Sequence, residues 1–578
     1  MTSSPTALLL ALTILTPLLL ALPLWWPARR EATRRLAPMA ALPALLLALL
    51  GEEGTTLALP WLLLGTELGL DATGRIFLLL SAWLWLIAAW FATAYLAEDR
   101  RAHLFLLFFL AAMAGNFGLI VARDLISFNL FFSLMGLSAY GLVIHRRDPA
   151  ALRAGRIYLT LVILGEVLIF CGLVGLVWQT GGIVQLTALP APAGLPPALI
   201  ACLLLGFGIK AGMVPLHFWL PLAHPAAPIP ASAVLSGVMI KAGLLGWLRF
   251  LPGDGAGPEL GSLCLLLGLV AAGYGALKGL TRDDPKTVLA WSSISQMGLL
   301  TVGLGLFLAG GAAREPALAA IQLFAVHHGL AKGALFLAVG VAGRINLREP
   351  LLAAAVLLPA LSLAGAPLTS GFAAKNLLLE AAAGREFLPP LLSASSLLTA
   401  LLMLHFLRRL RALRQGEKSA ATPAGASGRR LPLAILAISG LPPLWSFLPG
   451  LGELTARLPA AGGDKIGAAL LPIILALALA GLAGRFRPRP KERDLRPHAA
   501  GEPGPEPHDR LAGLIRWWQR HRGQRQNLQA AAEFRRRRWL AQWRQRGRRT
   551  QQAPTPWPLA GVCSLGLIIL FFLLLRVP

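Results

Sequence analysis

The stretch KAGMVPLHFWLPLAHPAAPIPASAVLSGVMIKAGLLGWLRF, running from Lys210 to Phe250, decides how the rest of the chain is read. It is apolar over most of its length, yet it contains Lys210, His217, His224 and Lys241. Pro215, Pro221, Pro225, Pro228 and Pro230 forbid one continuous helix through its first half. A run this long and this apolar suits a bilayer. There, broken backbone is tolerated only where protein or a water-filled cavity satisfies it. An ionisable side chain inside a membrane span is costly and is read as functional by default. The stretch is therefore a broken membrane helix followed by a second one, built around groups that can carry protons.

The whole chain agrees. Of its 578 residues 56% are hydrophobic and 14% charged, against about 25% charged in soluble domains. Counting apolar runs of spanning length predicts about sixteen transmembrane helices. They centre near Leu18, Leu45, Leu86, Phe109, Leu134, Ile163, Leu203, Val238, Leu267, Leu299, Leu335, Leu361, Leu401, Ile438, Ile474 and Leu570. The first run lacks a basic start, and Trp25 and Trp26 then Arg29 and Arg30 follow it as an interface anchor. It reads as a retained span. The loops 28–35, 98–101, 146–156, 278–286, 344–348 and 408–430 are basic and fall on one side if the helices alternate. Loops 51–71 and 253–259 on the other side are acidic or neutral. The expectation is a multi-pass protein of the bacterial inner membrane, basic loops cytoplasmic and N-terminus outside.

The expected divisions are 1–70 (first helices), 71–410 (a translocation core), 411–484 (further helices), 485–556 (a basic linker) and 557–578 (a last span). Within the linker, Leu511 to Arg549 reads as an amphipathic surface helix rich in arginine, with a disordered linker as the alternative. The net charge of +26 lies in loops and this linker. It implies a membrane surface, and nucleic acid is excluded for want of any recognition motif. Cys171, Cys202, Cys264 and Cys563 sit singly in apolar runs and predict no metal site or cluster.

Other spans also carry ionisable groups: Glu166 in LVILGEVLIF, His327, His328 and Lys332 in AVHHGLAKGALFL, Lys375 in PLTSGFAAKNLLLE, and His405. Any one of them alone has a plain structural reading, a lysine snorkelling to the headgroups or a histidine bonding between helices. Together they form a set suited to proton transfer. Desolvation disfavours a lysine's charged form, a nearby carboxylate restores it, and histidine relays near neutral pH. Pro367 and Gly371 mark a second broken helix before Lys375.

The Lys210–Phe250 run resembles the antiporter-like subunits shared by respiratory complex I, Mrp antiporters and membrane-bound hydrogenases. DDPKTVLAWSSISQMG, HHGLAKGALFL and PLTSGFAAKN resemble three further family stretches in the same order. The wording is most similar to component B of hydrogenase-4 and to formate hydrogenlyase subunit 3. The resemblance implies an all-α polytopic fold with two inverted five-helix repeats, each with a broken helix and a half-channel. By position, Lys210 resembles the central lysine of the first broken helix and Lys241 the connecting lysine. His328 and Lys332 resemble the second repeat's relay, and Lys375 its terminal lysine. The family's usual glutamate is replaced by Ser133, and Leu222 stands where an acidic residue is common. Either Glu166, one helix later, takes over from the missing glutamate, or the first half-channel is altered.

The expected function is that of a proton-translocating, or sodium-translocating, subunit of a larger membrane complex. Its path runs through Glu166, Lys210, Lys241, His217, His224, His327, His328, Lys332 and Lys375. The expected partners are other membrane subunits, antiporter-like paralogues among them, and a redox module. Without a phosphate loop, dinucleotide fingerprint or haem motif, no cofactor and no catalytic redox site are expected in this chain. The alternatives are a non-pumping scaffold of such a complex and a stand-alone cation/proton antiporter.

Overall fold

A computed structural model of the chain describes residues 5–485 apart from 64, 187, 189–194, 252–256, 342–349, 417–429 and 459–461. The expected surface helix Leu511–Arg549 and the span near Leu570 lie outside the described residues.

The helices are, in order, α1 (Pro5–Ala21), α2 (Arg30–Leu36), α3 (Leu42–Leu50), α4 (Ala72–Tyr95), α5 (Ala102–Val121), α6 (Leu125–Val143) and α7 (Pro149–Gln179). Next come α8 (Pro197–Ala211), α9 (Leu220–Ala226), α10 (Ile229–Val234), α11 (Lys241–Phe250), α12 (Gly257–Leu280), α13 (Pro285–Leu308) and α14 (Arg314–Val339). The last are α15 (Pro350–Ala364), α16 (Ser370–Ala381), α17 (Leu388–Gly416), α18 (Arg430–Ile438), α19 (Pro442–Trp445), α20 (Leu451–Ala456) and α21 (Gly463–Arg485). Among the described residues, 13 helical segments are long and apolar enough to cross a membrane. The chain is an all-α polytopic membrane protein. Two of the expected spans differ in form. The one centred on Leu361 is the pair α15 and α16, broken as Pro367 suggested. The one near Ile438 is a nine-residue helix followed by two short ones, because Gly440, Pro442 and Pro443 interrupt it. The loop after α3 holds a small hairpin that apolar counting did not reveal, Thr56–Leu59 antiparallel to Thr66–Gly69.

Local chemistry starts the helices. Asp71, Asp124, Asp148 and Asp284 each accept the backbone N–H three residues on, at 2.7–2.8 Å, at the heads of α4, α6, α7 and α13. Pro149 and Pro285 follow two of them at the first helical position, where a missing N–H costs nothing. Glycine then sets the packing. A Cβ on Gly268 would lie 2.6 Å from the Gly298 carbonyl, and one on Gly261 2.8 Å from that of Gly305. α12 and α13 thus touch backbone to backbone. In lipid, where apolar burial drives no association, such close approach supplies the dispersion contact.

At one end of the bundle Asp71 binds Arg123 at 2.7 Å and Arg249 at 3.4 Å. Arg249 also donates to the carbonyls of Leu119, Ile120 and Ala122 at 2.6–3.1 Å. It satisfies the open C-terminus of α5 and ties α4, α5 and α11 together.

Candidate functional site

Both broken helices are stopped by the same device. Gly212 (φ +74°) and Gly365 (φ +86°) take the left-handed conformation after α8 and α15. Met213 N–H returns to Gly208 O and Gly212 N–H to Ile209 O, at 2.9 and 3.2 Å. Ala366 N–H and Gly365 N–H return to Leu361 O and Ser362 O, at 3.0 and 2.9 Å. This glycine-closed turn leaves the last two carbonyls of each helix open. At the second break those carbonyls, of Leu363 and Ala364, accept the Lys375 ammonium at 3.1 and 3.0 Å. Gly365 makes room for it, since a Cβ there would lie 2.9 Å from Lys375 Cδ and 3.0 Å from Nζ. Lys210 sits differently, in the last turn of α8 before its break.

Around Lys210 the structure gathers a small cavity lined by Phe132, Val162, Glu166 and Trp219. Ser133 donates a short hydrogen bond to Glu166 Oε2. The serine at the glutamate's expected position therefore holds the carboxylate supplied by the next helix. A Cβ on Gly136 would lie 3.0 Å from Glu166 Oε1 and 3.7 Å from Lys210 Nζ, so its absence keeps the space between acid and base open. Tyr158, not singled out from sequence, donates to Gly136 O at 2.9 Å and accepts from Lys210 Nζ at 3.4 Å.

A second group lies on α11, α13 and α14. A widened π turn at Leu235–Met239 precedes Lys241 and brings the Ser236 carbonyl to 2.7 Å from its ammonium. Such turns recur at functional sites. Lys332 donates to Leu289 O at 2.9 Å. Gly237 and Gly329 bring the π turn against α14, where a Cβ on Gly329 would meet Gly237 O at 2.7 Å. Lys210, Lys241 and Lys332 are 3%, 1% and 0% exposed, so all three are sealed from solvent. Lys241 lies within electrostatic reach of Lys332, His327 and His328, and His328 within reach of Lys332 and His327; His224 lies within reach of Lys241, Lys286 and Lys332. Neither ring nitrogen of His224 or His328 has a protein partner. Buried polar atoms are nearly always satisfied, which points to water at these rings.

Serines continue this group to the break between α15 and α16. His327 Nδ1 lies 3.0 Å from Ser370 Oγ and 3.2 Å from Ser362 Oγ. The two hydroxyls are 2.9 Å apart and bridge α15 to α16 across the break. His327 is also within electrostatic reach of Lys375. Lys375 is surrounded by protein yet only half-buried, because a cavity of about 430 Å³ reaches it.

Two expectations change. His217 is not brought to this line: its ring packs between Tyr274 and Trp291, each 5.5 Å away, and neither nitrogen has a partner. Lys286, read as a basic loop residue, is buried and donates to Pro225 O at 3.2 Å and to Ala227 O. A lysine just after an Asp-Pro cap reads as surface charge, and only the tertiary fold tucks it under α9. Ser236, Ser362 and Ser370 carried no signal, since serine is common in membrane helices.

Residues 122–402 match the family model described as "NADH:quinone oxidoreductase/Mrp antiporter, TM". NADH-quinone oxidoreductase subunit N of Desulforudis audaxviator is 31% identical over 406 residues, which cover 65% of this chain and 78% of that protein. The chain belongs to this family. Another member, hydrogenase-4 component B of Escherichia coli, is 31% identical over 333 residues, 53% of this chain and 49% of that protein. The chain thus spans about half the length of that relative. A chain of the Mrp complex from Dietzia sp. shares the family fold, with a TM-score of 0.72 and 21% identity over 98% of this chain and 62% of that one.

Proposed function

We propose that this chain is a proton-translocating subunit of a multi-subunit complex in a bacterial inner membrane, with its basic loops cytoplasmic and its N-terminus outside. The observation that carries the reading is the clustering, within electrostatic reach, of Lys241, Lys332, His328 and His327, with His327 hydrogen-bonded to the Ser362–Ser370 bridge and within electrostatic reach of Lys375. The partners are neighbouring membrane subunits and a redox module that drives the cycle, as the family suggests.

The chemistry follows from placement. Lys241, Lys332 and Lys375 rest on backbone carbonyls. A carbonyl dipole steadies an ammonium but does not neutralise it. Two unit charges about 8 Å apart repel by about 2 kcal/mol at an effective dielectric of 20. A proton arriving on one lysine therefore raises the cost of a proton on the next and favours its onward movement. His328, His327 and the waters implied by their open nitrogens carry it between. In the first repeat Glu166 is the counter-charge to Lys210. Ser133 orients that carboxylate and Tyr158 orients the ammonium. A charge change in a neighbouring subunit shifts this pair, and Lys210 takes or gives a proton in response.

The test is proton flux in proteoliposomes containing the whole complex. Lys332→Ala and Lys375→Ala that assemble but lose proton-coupled turnover support the reading. Unchanged pumping in both favours the scaffold alternative.

A further inference from the structure

Lys241 and Lys332 stand on different helices, yet one pair of hydroxyls ties together the carbonyls that hold them. Lys241 donates to Ser236 O at 2.7 Å and Lys332 to Leu289 O at 2.9 Å. The hydroxyls of Ser236, in the π turn, and Ser293, on α13, lie 2.8 Å apart. Ser293 is one turn beyond Leu289 and donates to Leu289 O at 3.0 Å. A hydroxyl has one proton to give. Since Ser293 gives its own to Leu289 O, Ser236 is the donor between the two serines. The bonds therefore run from Ser236 through Ser293 to Leu289 O, where they meet the Lys332 ammonium. Ser236, Ser293 and Lys332 are all fully buried.

A serine in a membrane helix can satisfy itself by bonding back to the carbonyl one turn earlier. Ser293 does so, whereas Ser236 reaches across to another helix. The same turn is pressed from its other side. A Cβ on Gly237 would run into Leu84 of α4 and would lie 3.1 Å from Gly329 O of α14. The π turn is thus seated on α4 and α14 through Gly237 and latched to α13 through Ser236. Lys332 follows three residues after Gly329 on α14. Lys241 and Lys332 are within electrostatic reach of each other, and among the described residues no carboxylate is within reach of either. The force each ammonium feels from the other is then set by their separation. The latch fixes both carbonyls, and with them that separation. A hydroxyl bond between membrane helices adds only modestly to stability, so removing the latch leaves the fold standing.

We propose that Ser236 and Ser293 are positioning residues of the proton path: their hydroxyl pair holds the carbonyls under Lys241 and Lys332 at a fixed separation, so that a proton arriving at one lysine is felt at the other. The proposal rests on the translocation reading above and assigns the joint between these two lysines. The test uses the whole complex in proteoliposomes, with proton flux per assembled complex and melting temperature measured on the same samples. Ser293→Ala, and Ser236→Ala, which keeps the carbonyl under Lys241, are each expected to lose flux about tenfold. Threonine at either position keeps the hydroxyl and is expected to retain most of the flux. The double alanine variant is expected to lose no more than either single one, because the two hydroxyls act as a unit. Ser295→Ala is the control. Ser295 is also buried on α13 but donates to Ala272 O of α12 at 2.7 Å. Its variant is expected to keep wild-type flux with a similar change in melting temperature. Should Ser293→Ala fail to assemble, Ser236→Ala carries the test. Equal losses in Ser295→Ala and the two alanine variants, losses that multiply in the double variant, or no recovery with threonine at either position mean packing alone and overturn the proposal. Wild-type flux in Ser236→Ala and Ser293→Ala beside an inactive Lys332→Ala overturns it and leaves translocation standing. A Lys332→Ala complex that pumps normally refutes translocation and the proposal with it.

Discussion

Replacing Gly365 by alanine tests the way Lys375 is held. Two effects follow from the geometry. The left-handed φ of +86° costs an alanine about 1–2 kcal/mol. Its Cβ would also lie 2.9–3.0 Å from Lys375 Cδ and Nζ, closer than carbon contacts allow, so the flexible lysine must yield. The ammonium then leaves the carbonyls of Leu363 and Ala364. Hydrogen bonds to a charged group contribute about 1.5–3 kcal/mol each. Cavity water recovers part of that, leaving a net loss of about 1.4 kcal/mol or more, which is at least tenfold in rate or occupancy. The strain alone is reproduced by Gly384→Ala, since Gly384 has φ +82° and nothing within 4 Å of its Cβ position. The assay is proton flux per assembled complex, with thermal unfolding measured on the same samples. Gly365→Ala is expected to lose flux at least tenfold while Gly384→Ala loses only stability. Equal fluxes in the two variants would refute the role given to the break carbonyls.

Three further outcomes follow. Glu166→Gln should cut proton-coupled turnover at least tenfold, and the exchange Ser133→Glu with Glu166→Ser should restore part of it; no recovery would show that the carboxylate cannot act from the family's usual position in this chain. Burial pushes the Asp71 carboxyl up, but Arg249 and Arg123 beside it outweigh this and hold it below the usual carboxylate range. The stabilisation is therefore present above the ordinary carboxylate pKa of about 3.9 and is lost as pH falls through the lower folded value. Asp71→Asn should lower the melting temperature at pH 7, and the gap to wild type should close in acid; a gap that is the same at pH 3 would contradict the pairing. Gly268→Val should prevent accumulation of the folded chain, because its side chain would enter the backbone of α13. Normal yield would mean that α12 and α13 can separate at small cost.

Much of the fold was legible because its signals are local. Apolar runs of spanning length and clustered prolines each report on their own segment. The ionisable residues were legible because a lysine such as Lys332 has no local reason to sit in an apolar helix. What was hidden depends on contacts distant in sequence. Ser133 left two readings open, a carboxylate supplied by Glu166 or an altered half-channel, until α7 placed Glu166 beside it. Ser362 and Ser370 gain meaning only when α14 puts His327 against both of them. His217 looked equivalent to His224 in the same motif, yet the break turns it toward Trp291 and Tyr274.

The most direct test of the central claim is proton movement by the reconstituted complex carrying Lys332→Ala. The claim predicts that the variant assembles, keeps the melting temperature of wild type within a few degrees, and loses proton-coupled turnover at least tenfold. A folded, assembled Lys332→Ala complex that pumps at the wild-type rate would contradict it.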